Sequence, residues 1–338
     1  MKKIFITGGG GYIGTRLVPI LLKRKYHVTV FDTFWFGNFL KKDKSLKVIK
    51  GDIRDTKKLK KACKKHDVFL HLACISNDSS FELDSRLSKD INFDAFEPMV
   101  IAAKEVGIKR FIYASSSSVY GVSKKKNVTE KHSLLPLTLY NKYKGMCEPL
   151  LLKHTDRNFV GVIFRPATVC GYSSRLRLDL SVNILTNFGY NKNYIKVFGG
   201  DQLRPNLHIL DYCDAVLKLI NSPDKKVKNQ IFNVGNQNMS IMAIAKKVKN
   251  ILEKRYKRKI EIIKTPSNDK RSYHINSSKI KRLLNFKPKR KIDDAVDEII
   301  KAFQSNKIKN SFENNMYFNV KKLKKLKVKK IKKKIIFF

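Results

Sequence analysis

The sequence has few acidic residues and no long apolar run. Its 338 residues include 72 lysines and arginines but only 28 aspartates and glutamates. The apolar run behind the charged start, Ile4 to Ile6, gives way at once to a glycine-rich stretch. We therefore expect neither a signal peptide nor a transmembrane segment, since a membrane span needs roughly 20 apolar residues. Hydrophobic residues still make up 42% of the chain, which is enough for a sizeable core and excludes disorder of the whole chain.

Paired cysteines are also missing. The five cysteines show no CxxC spacing, so the sequence predicts neither a redox pair nor a zinc site, and no other metal site is expected. Scattered thiols in an odd number are typical of a reducing compartment, and we expect a cytoplasmic protein. These residues are Cys63, Cys74, Cys147, Cys170 and Cys213.

The formal net charge of +44 raises the question of nucleic-acid or anionic-lipid binding. Lysine is spread over the whole chain and outnumbers arginine, the residue that makes bidentate contacts with phosphates and bases. We interpret the charge as a solvated surface and expect no specific nucleic-acid partner. The last 18 residues, Lys321 to Phe338, contain ten lysines. We interpret residues 311–338 as a Lys-rich tail, for which a weak contact with a membrane surface is left open.

Short β-branched runs alternate with amphipathic stretches in the first half of the chain, which predicts βαβ units and a doubly wound parallel sheet of the Rossmann type. Ligands then bind at the carboxyl ends of the strands. The predicted strands are 3–7, 28–32, 47–50, 68–72, 111–114 and 159–164, and the predicted helices are 12–24, 56–64, 88–106 and 138–154.

The pattern changes after Arg165-Pro166, where a polar stretch precedes a predicted strand at 195–198. Residues 206–210 and 231–234 again resemble buried strands, so we expect the chain to return to the first sheet before it ends in helices from Ser240 and Asp293. The resulting prediction is a Rossmann-type, ligand-binding domain (1–171 and 206–236) and a smaller α/β lobe on the substrate side (172–205 and 237–310).

A glycine-rich loop follows the first predicted strand and opens the first helix. Gly8, Gly11 and Gly14 have the GxxGxxG spacing, with Tyr12 and Ile13 between them. Glycine is needed there because backbone N–H groups must approach a pyrophosphate at a helix N-terminus. This strand-turn-helix context predicts a dinucleotide site.

Asp32 ends the second predicted strand, where a carboxylate accepts hydrogen bonds from the adenosine ribose and repels a 2′-phosphate. No arginine stands beside it in sequence, so NAD is favoured over NADP as cofactor. A plain turn residue is the alternative. We expect Asp52 to accept from the adenine amino group while Ile53 packs on the ring, and Leu72 and Ala73 to complete the pocket.

Tyr140 and Lys144 stand four residues apart on one face of a predicted helix. A tyrosine is a poor base at neutral pH unless a nearby cation stabilises its phenolate. Lys144 is predicted to do this and to hold the nicotinamide ribose, which leaves Tyr140 to transfer a hydroxyl proton. The serine run from Ser115 to Ser118 supplies a hydroxyl for the reacting oxygen. A surface helix pair and a serine-rich turn are the alternatives.

These motifs, in this order, resemble the extended short-chain dehydrogenase/reductase family, and within it the NAD-dependent sugar-nucleotide epimerases and dehydratases such as UDP-glucose 4-epimerase. The resemblance covers nearly the whole chain. It implies that Ser116 is the catalytic serine, that Ser118 lies nearer the sugar, and that Asn92 supports the cofactor side. It also implies a homodimer formed by the helices at 88–106 and 138–154.

On the substrate side, Thr168 stands where this family usually has an asparagine that contacts the substrate. The resemblance implies a further set of residues that hold the nucleotide diphosphate, for which arginine forks are suited. These residues are Arg175, Arg177, Gln202, Arg204 and Arg271.

Similar 4,6-dehydratases carry an Asp-Glu pair directly after the catalytic serine or threonine, since elimination needs a further acid and base. Ser117 and Ser118 stand at those positions. The sequence therefore favours an NAD-dependent nucleotide-sugar epimerase acting at C4 through a 4-keto intermediate. A nucleotide-sugar oxidoreductase and a 4,6-dehydratase are the alternatives within the family. The alternative of another class is a non-catalytic dinucleotide-binding or nucleic-acid-associated protein.

Overall fold

A seven-stranded sheet lies at the centre of the larger lobe in the computed structural model, which describes residues 2–123, 127–267 and 272–326. The strands in chain order are β1 Lys3–Thr7, β2 His27–Asp32, β3 Leu46–Lys50, β4 Val68–His71, β5 Arg110–Ala114, β6 Val160–Pro166, β7 Thr168–Cys170, β8 Tyr194–Phe198, β9 Leu203–His208, β10 Gln230–Val234, β11 Gln237–Ser240 and β12 Glu261–Thr265. The central sheet has the order β10-β6-β5-β4-β1-β2-β3, and all of its pairs are parallel. The order reverses between β1 and β4, which is where such sheets bind ligands.

The helices of the described residues flank these strands. They are α1 Gly14–Lys23, α2 Thr56–Cys63, α3 Asp78–Phe81, α4 Ser85–Lys89, α5 Phe96–Glu105, α6 Leu139–Lys153, α7 Ser181–Lys192, α8 Ile209–Asn221, α9 Asp224–Val227, α10 Ile241–Tyr256, α11 Ser278–Leu284, α12 Ile292–Gln304 and α13 Asn319–Lys324. The helix predicted at 88–106 is divided, because a π-helical turn at Asp90–Asp94 separates α4 from α5.

Apolar side chains cover both faces of the central sheet, which confirms the doubly wound architecture. Leu17 and Val18 of α1 belong to the cluster on one face, together with Val216 of α8. The cluster on the other face contains Phe69 and Phe111, whose rings stack with their centroids 4.7 Å apart. Two covered faces are the reason that these strands read as nearly continuous apolar runs.

The return of the chain to the first sheet is later than predicted. β9 joins a separate three-stranded sheet of order β11-β9-β7, and of the two late strands only β10 enters the central sheet. The apolar run that predicted a strand at 206–210 is shared between β9 and α8, which begins at Ile209 with the His208 side chain as its N-cap. Short apolar runs do not distinguish a strand from a buried helix start.

The smaller lobe packs helices against a two-stranded parallel sheet of β8 and β12. Val182 of α7, Val248 of α10 and Val296 of α12 lie in one buried cluster with Ile195 of β8. This cluster gives the lobe a core of its own beside the carboxyl edge of the central sheet.

Residues 311–338 were assigned from the sequence to a Lys-rich tail, but the first part of this stretch is folded against the rest of the protein. A 3₁₀ turn at Asn315–Tyr317 leads into α13, and Asn319 is only 4% exposed. The lysine-rich composition concealed this, because α13 packs through Asn319 and Leu323 while Lys321 and Lys324 are exposed. Residues 327–338 lie outside the described residues. Within the described ranges, no helix is long and apolar enough to cross a membrane.

Candidate active site

The glycine loop turns tightly against two strands. A Cβ on Gly8, whose φ is +76°, would lie 2.5 Å from the Ala73 nitrogen, and a Cβ on Gly14 would lie 2.2 Å from the Gly9 oxygen. The Gly11 N–H donates to the Gly8 oxygen at 3.1 Å, directly before α1 begins. No side chain fits this turn, so it leaves a backbone cradle at a helix N-terminus, as a pyrophosphate requires.

Asp32 is anchored beside this loop. Its Oδ2 accepts from the Gly10 N–H at 2.9 Å, and its Oδ1 accepts from the Phe34 N–H at 2.7 Å. Burial raises the pKa of Asp32 above its usual value, while these two hydrogen bonds and the charge of Arg175 act against that rise. The sequence showed no arginine beside Asp32, but folding brings Arg175 close to it. Each carboxylate oxygen keeps a lone pair for a ribose hydroxyl.

One cavity of about 1010 Å³ extends from the glycine loop past the end of α6 to the smaller lobe. Most of the residues predicted to bind the cofactor line it, namely Gly8, Gly11, Tyr12, Ile13, Asp32, Asp52, Ile53, Leu72 and Ala73. The Asp52 carboxylate is already paired with Arg54, at 3.0 and 2.7 Å. Asn92 lies behind the wall, where its side chain accepts from the Ile75 N–H and donates to the Ile75 oxygen.

Lys144 and Tyr140 both line this cavity, one turn apart on α6. Thr138 caps the helix, since its side chain accepts from the Asn141 N–H. Lys144 is only 4% exposed, and its Nζ donates to the Ala114 oxygen at 2.8 Å. The ammonium is therefore fixed to the carboxyl end of β5.

A second cation, Arg177, lies near Tyr140 and was not connected with it in the sequence analysis. Burial raises the pKa of Tyr140 well above its usual value, and Cys74 and Asp78 raise it further. The charge of Arg177 acts in the opposite direction and lowers this pKa. The loop between β7 and α7 thus adds a positive charge to the surroundings of the phenol, besides Lys144 one turn away on α6.

The serine turn is tied to the same helix. The Oγ atoms of Ser116 and Ser118 are 2.7 Å apart, and Ser118 donates to the Asn141 side chain of α6. Asn141 is fully buried. Both serines line the cavity together with Tyr140. The hydroxyls and the phenol therefore belong to one wall.

Three of the predicted substrate residues lie where the smaller lobe meets the cavity. Thr168, Gln202 and Arg204 line it. Gln202 also shapes its own loop, because its Oε1 accepts from the Gly200 N–H at 2.7 Å. Arg271 lies outside the described residues.

Arg175 and Arg177 also line the cavity. The Arg175 guanidinium lies 3.9 Å from the centre of the Phe36 ring, in the loop after β2, and its backbone N–H donates to Thr15 Oγ1 of α1. Arg177 pairs with Asp179 at 2.9 Å and donates to Ser76 Oγ. Arg175 thus contacts residues of α1 and of the loop after β2, close to the glycine loop.

Several pocket residues escaped the sequence reasoning. Ser76 and Asp78 follow β4 at the carboxyl edge of the sheet, and that position alone marks them as candidates. Asp179 and Asn319 also line the cavity, but Asn319 has no local signal because it stands in a lysine-rich segment. No group of three His, Cys, Asp or Glu side chains that could hold a metal occurs in the part of the chain that the structure describes.

The fold and this wall of Ser116, Tyr140 and Lys144 define an NAD-binding protein of the extended short-chain dehydrogenase/reductase type. Residues 4–235 match the family described as "NAD dependent epimerase/dehydratase family". The chain belongs to this family. The family is NAD-dependent, which confirms NAD as the cofactor, and the glycine cradle and Asp32 fit it.

Two curated relatives carry different reactions in their names. A "UDP-glucose 4-epimerase" of Lactobacillus helveticus is 26% identical over 319 residues, which are 87% of this chain and 94% of the relative. A "dTDP-D-glucose 4,6-dehydratase" of Mus musculus is 27% identical over 327 residues, 90% of this chain and 89% of the relative. These relatives support a nucleotide-sugar enzyme and leave the reaction open.

A solved structure has the same fold. "MoeE5 in complex with UDP-glucuronic acid and NAD" superposes with a TM-score of 0.79 at 22% identity, over 90% of this chain and 99% of that one. At this identity the likeness concerns the fold alone.

Proposed function

We propose that this protein interconverts the C4 epimers of a nucleotide sugar through a transient 4-keto sugar. The observation that carries the proposal is the shared wall of Ser116, Tyr140 and Lys144 in the cavity that also holds the glycine loop. Epimerisation needs one proton-transfer group, a hydroxyl that orients the sugar and a bound nicotinamide.

The chain's own residues then have distinct tasks. When bound, NAD takes a hydride from C4 and returns it to either face of the ring. Tyr140 removes the proton from the C4 hydroxyl as the hydride leaves, and gives it back when the hydride returns. Ser116 hydrogen-bonds the same oxygen and holds it against Tyr140. Lys144, fixed to the Ala114 oxygen, holds the nicotinamide ribose.

The serine turn supports epimerisation over dehydration. Ser117 is 1% exposed, and Ser118 is engaged with Asn141, so neither replaces the acid and base that elimination needs. Thr168, Gln202 and Arg204, which line the cavity, are proposed to bind the nucleotide sugar. Arg271, outside the described residues, stays a candidate from the sequence resemblance.

A 4,6-dehydratase is the second candidate, because one acidic side chain does reach the reaction wall. Asp78 lines the cavity, accepts from Thr138 Oγ1 and is one of the charges that raise the pKa of Tyr140. If the reaction were dehydration, Asp78→Asn would abolish product formation. An epimerase should keep turnover within about tenfold of the parent, since Asp78 transfers no proton in it.

A panel of UDP- and dTDP-linked hexoses tests the reaction. The purified protein with NAD should convert at least one of them into its C4 epimer, identified by the coupling constants of H4 in proton NMR. A product that has lost water would support the dehydratase. Stoichiometric formation of NADH with an oxidised sugar would support the oxidoreductase.

The alternative of a non-catalytic, nucleic-acid-associated protein is based on the net charge of +44. Deletion of residues 327–338 removes part of the lysine-rich end and keeps every described residue that lines the cavity. An epimerase should keep its turnover after this deletion. A nucleic-acid-associated protein should lose its binding and show no turnover in either form.

We also propose a cytoplasmic homodimer. α5 and α6 lie side by side, and each leaves an apolar residue about two fifths exposed, Ile101 at 39% and Met146 at 40%. A four-helix interface between two copies would cover both side chains. All five cysteines are free, as expected in a reducing compartment.

A further inference from the structure

Two arginines line the cavity and are buried, and the carboxylates of Asp179 and Asp32 both act on Arg175. Arg175 is 3% exposed and Arg177 is 8% exposed. Arg177 has a carboxylate partner, Asp179, bound through its Nε and Nη2 atoms. The Arg175 side chain contacts an amide and an aromatic ring instead, and its buried Nε has no hydrogen-bond partner among the described residues.

A buried guanidinium without its own counterion is costly. Burial lowers the pKa of Arg175 to about 9, and the neighbouring charge of Arg177 acts in the same direction. Burying an unpaired charge costs several kcal/mol, and a bound anion would offset this cost. Since a guanidinium binds the paired oxygens of a phosphate bidentately, the missing partner has the chemistry of a diphosphate.

The position of Arg175 identifies which diphosphate this is. Its backbone N–H binds Thr15 in the first turn of α1, and its side chain stacks on Phe36 after β2. Asp32 is among the charges that act on it. These three neighbours surround the glycine loop, whereas Gln202 and Arg204 stand on β9 and in the turn before it. The cofactor, and not the nucleotide sugar, is the molecule whose diphosphate lies at this loop.

Asn319 of α13 holds the arginine loop in place. Its Oδ1 accepts from Arg175 Nη2 at 2.5 Å, and its Nδ2 donates to Ser76 Oγ at 2.9 Å. Its backbone N–H donates to Asp179 Oδ2 at 3.1 Å. One residue thus joins the loop before α7 to the loop after β4, which also contact each other through Arg177 and Ser76.

We propose that Arg175 binds the pyrophosphate of NAD opposite the glycine loop, and that Asn319 is a positioning residue which holds Arg175 there. The guanidinium and the backbone N–H groups of the glycine loop then bind the diphosphate from two sides. The helix α13 thereby contributes indirectly to cofactor binding, because its Asn319 holds Arg175 in position. This assigns to the cofactor an arginine that the sequence resemblance assigned to the substrate.

Binding measurements with fragments of the cofactor test the role of Arg175. Calorimetry on cofactor-free protein with adenosine, ADP-ribose, NAD, NADP and UDP compares the parent with Arg175→Gln. We expect NAD and ADP-ribose to bind about tenfold more weakly or worse, the effect of losing one charge-assisted contact. Adenosine affinity should stay unchanged, because adenosine lacks the diphosphate. The matched control is Arg282→Gln, which removes the same charge from an exposed position.

Three results would overturn the proposal. An equal loss of adenosine affinity would show that Arg175 only maintains the fold of the pocket. Unchanged NAD affinity together with weaker UDP binding would assign the arginine to the substrate. A selective loss of NADP affinity would assign it to the 2′ position of the ribose. The titrations use no nucleotide sugar, so they stand even if the proposed epimerase reaction fails.

Two further variants separate positioning from folding. Asn319→Ala should weaken NAD binding several-fold and leave adenosine binding unchanged, whereas Lys324→Ala, an exposed position on the same helix, should change neither. Arg175→Lys keeps the charge and should restore part of the NAD affinity lost in Arg175→Gln. If Asn319→Ala binds NAD like the parent, Asn319 does not position Arg175 for the cofactor.

Discussion

Glu148 and Arg165 form a buried ion pair directly beneath the catalytic wall, with Arg165 Nη2 and Glu148 Oε2 2.5 Å apart and both side chains less than 5% exposed. Glu148 lies one turn after Lys144 on α6, and it also accepts from Ser115 Oγ at 2.6 Å. Arg165 on β6 donates to the Tyr120 hydroxyl at 2.7 Å. The pair thus connects α6, the serine turn and the sheet, and fixes the relative positions of the catalytic groups.

Removal of one member of this pair should be strongly destabilising. Glu148→Ala leaves Arg165 charged and buried, so we expect the free energy of unfolding to fall by about 3–5 kcal/mol in urea titrations. Glu105→Ala is the control, because it removes a carboxylate from the exposed Lys60 pair, which is worth about 0–1 kcal/mol. Equal losses in the two variants would mean that the buried pair does not organise the site.

Tyr140→Phe keeps the ring and its packing but deletes the proton-transfer group. We expect turnover to fall by about 10²- to 10⁴-fold, while NAD affinity stays near that of the parent. Tyr143→Phe on the same helix is the matched control, since its ring packs on Phe81 and Phe93 and should tolerate the change. If turnover falls in Tyr143→Phe instead, the assignment of the base is wrong.

The charge of Arg177 should appear in the pH dependence of turnover. Tyr140 acts as a base in its deprotonated form, so turnover rises with pH through the pKa of Tyr140. Arg177 lowers that pKa, and Arg177→Gln should therefore raise it and move the ascending limb of the kcat profile to higher pH. The profile is measured at saturating NAD. A limb that stays in place or moves to lower pH would show that Arg177 does not act on the phenol.

One introduced charge should disrupt the proposed dimer interface. Ile101→Glu on α5 would bury a carboxylate in the four-helix contact, so we expect a monomer by light scattering at micromolar concentration. Val48→Glu is the control, because Val48 is 40% exposed on the edge strand β3, away from α5 and α6. A dimer that persists in Ile101→Glu would place the interface elsewhere, and a monomeric parent would remove it.

The sequence predicted the elements of the first half closely, because hydrophobic periodicity and glycine spacing are local signals. β1 begins and ends where expected, and α6 differs from the predicted helix by one residue at each end. The glycine loop, Asp32 and the Tyr140-Lys144 pair were found in the same way, since each is a short motif with a physical reason.

What the sequence left out depends on contacts between distant segments. Arg175 lies 143 residues beyond Asp32 in the numbering, and no local pattern indicates that the two charges meet. Asn319 stands in a stretch whose lysines predicted a solvated tail, although one face of α13 lies against the cavity. β9 was assigned to the wrong sheet, because a short apolar run does not specify its partner strand.

In the proposed reaction, Tyr140 and the nicotinamide act on C4 alone. A nucleotide hexose deuterated at C4 and incubated with NAD and the protein in ordinary water tests this most directly. We predict that NMR and mass spectrometry find the deuterium retained at C4 in both epimers, with no solvent hydrogen entering C5, because the same hydride leaves and returns. Transfer of the label to C6 with loss of water would establish elimination as the reaction, and exchange at C5 would show that the chemistry is not confined to C4.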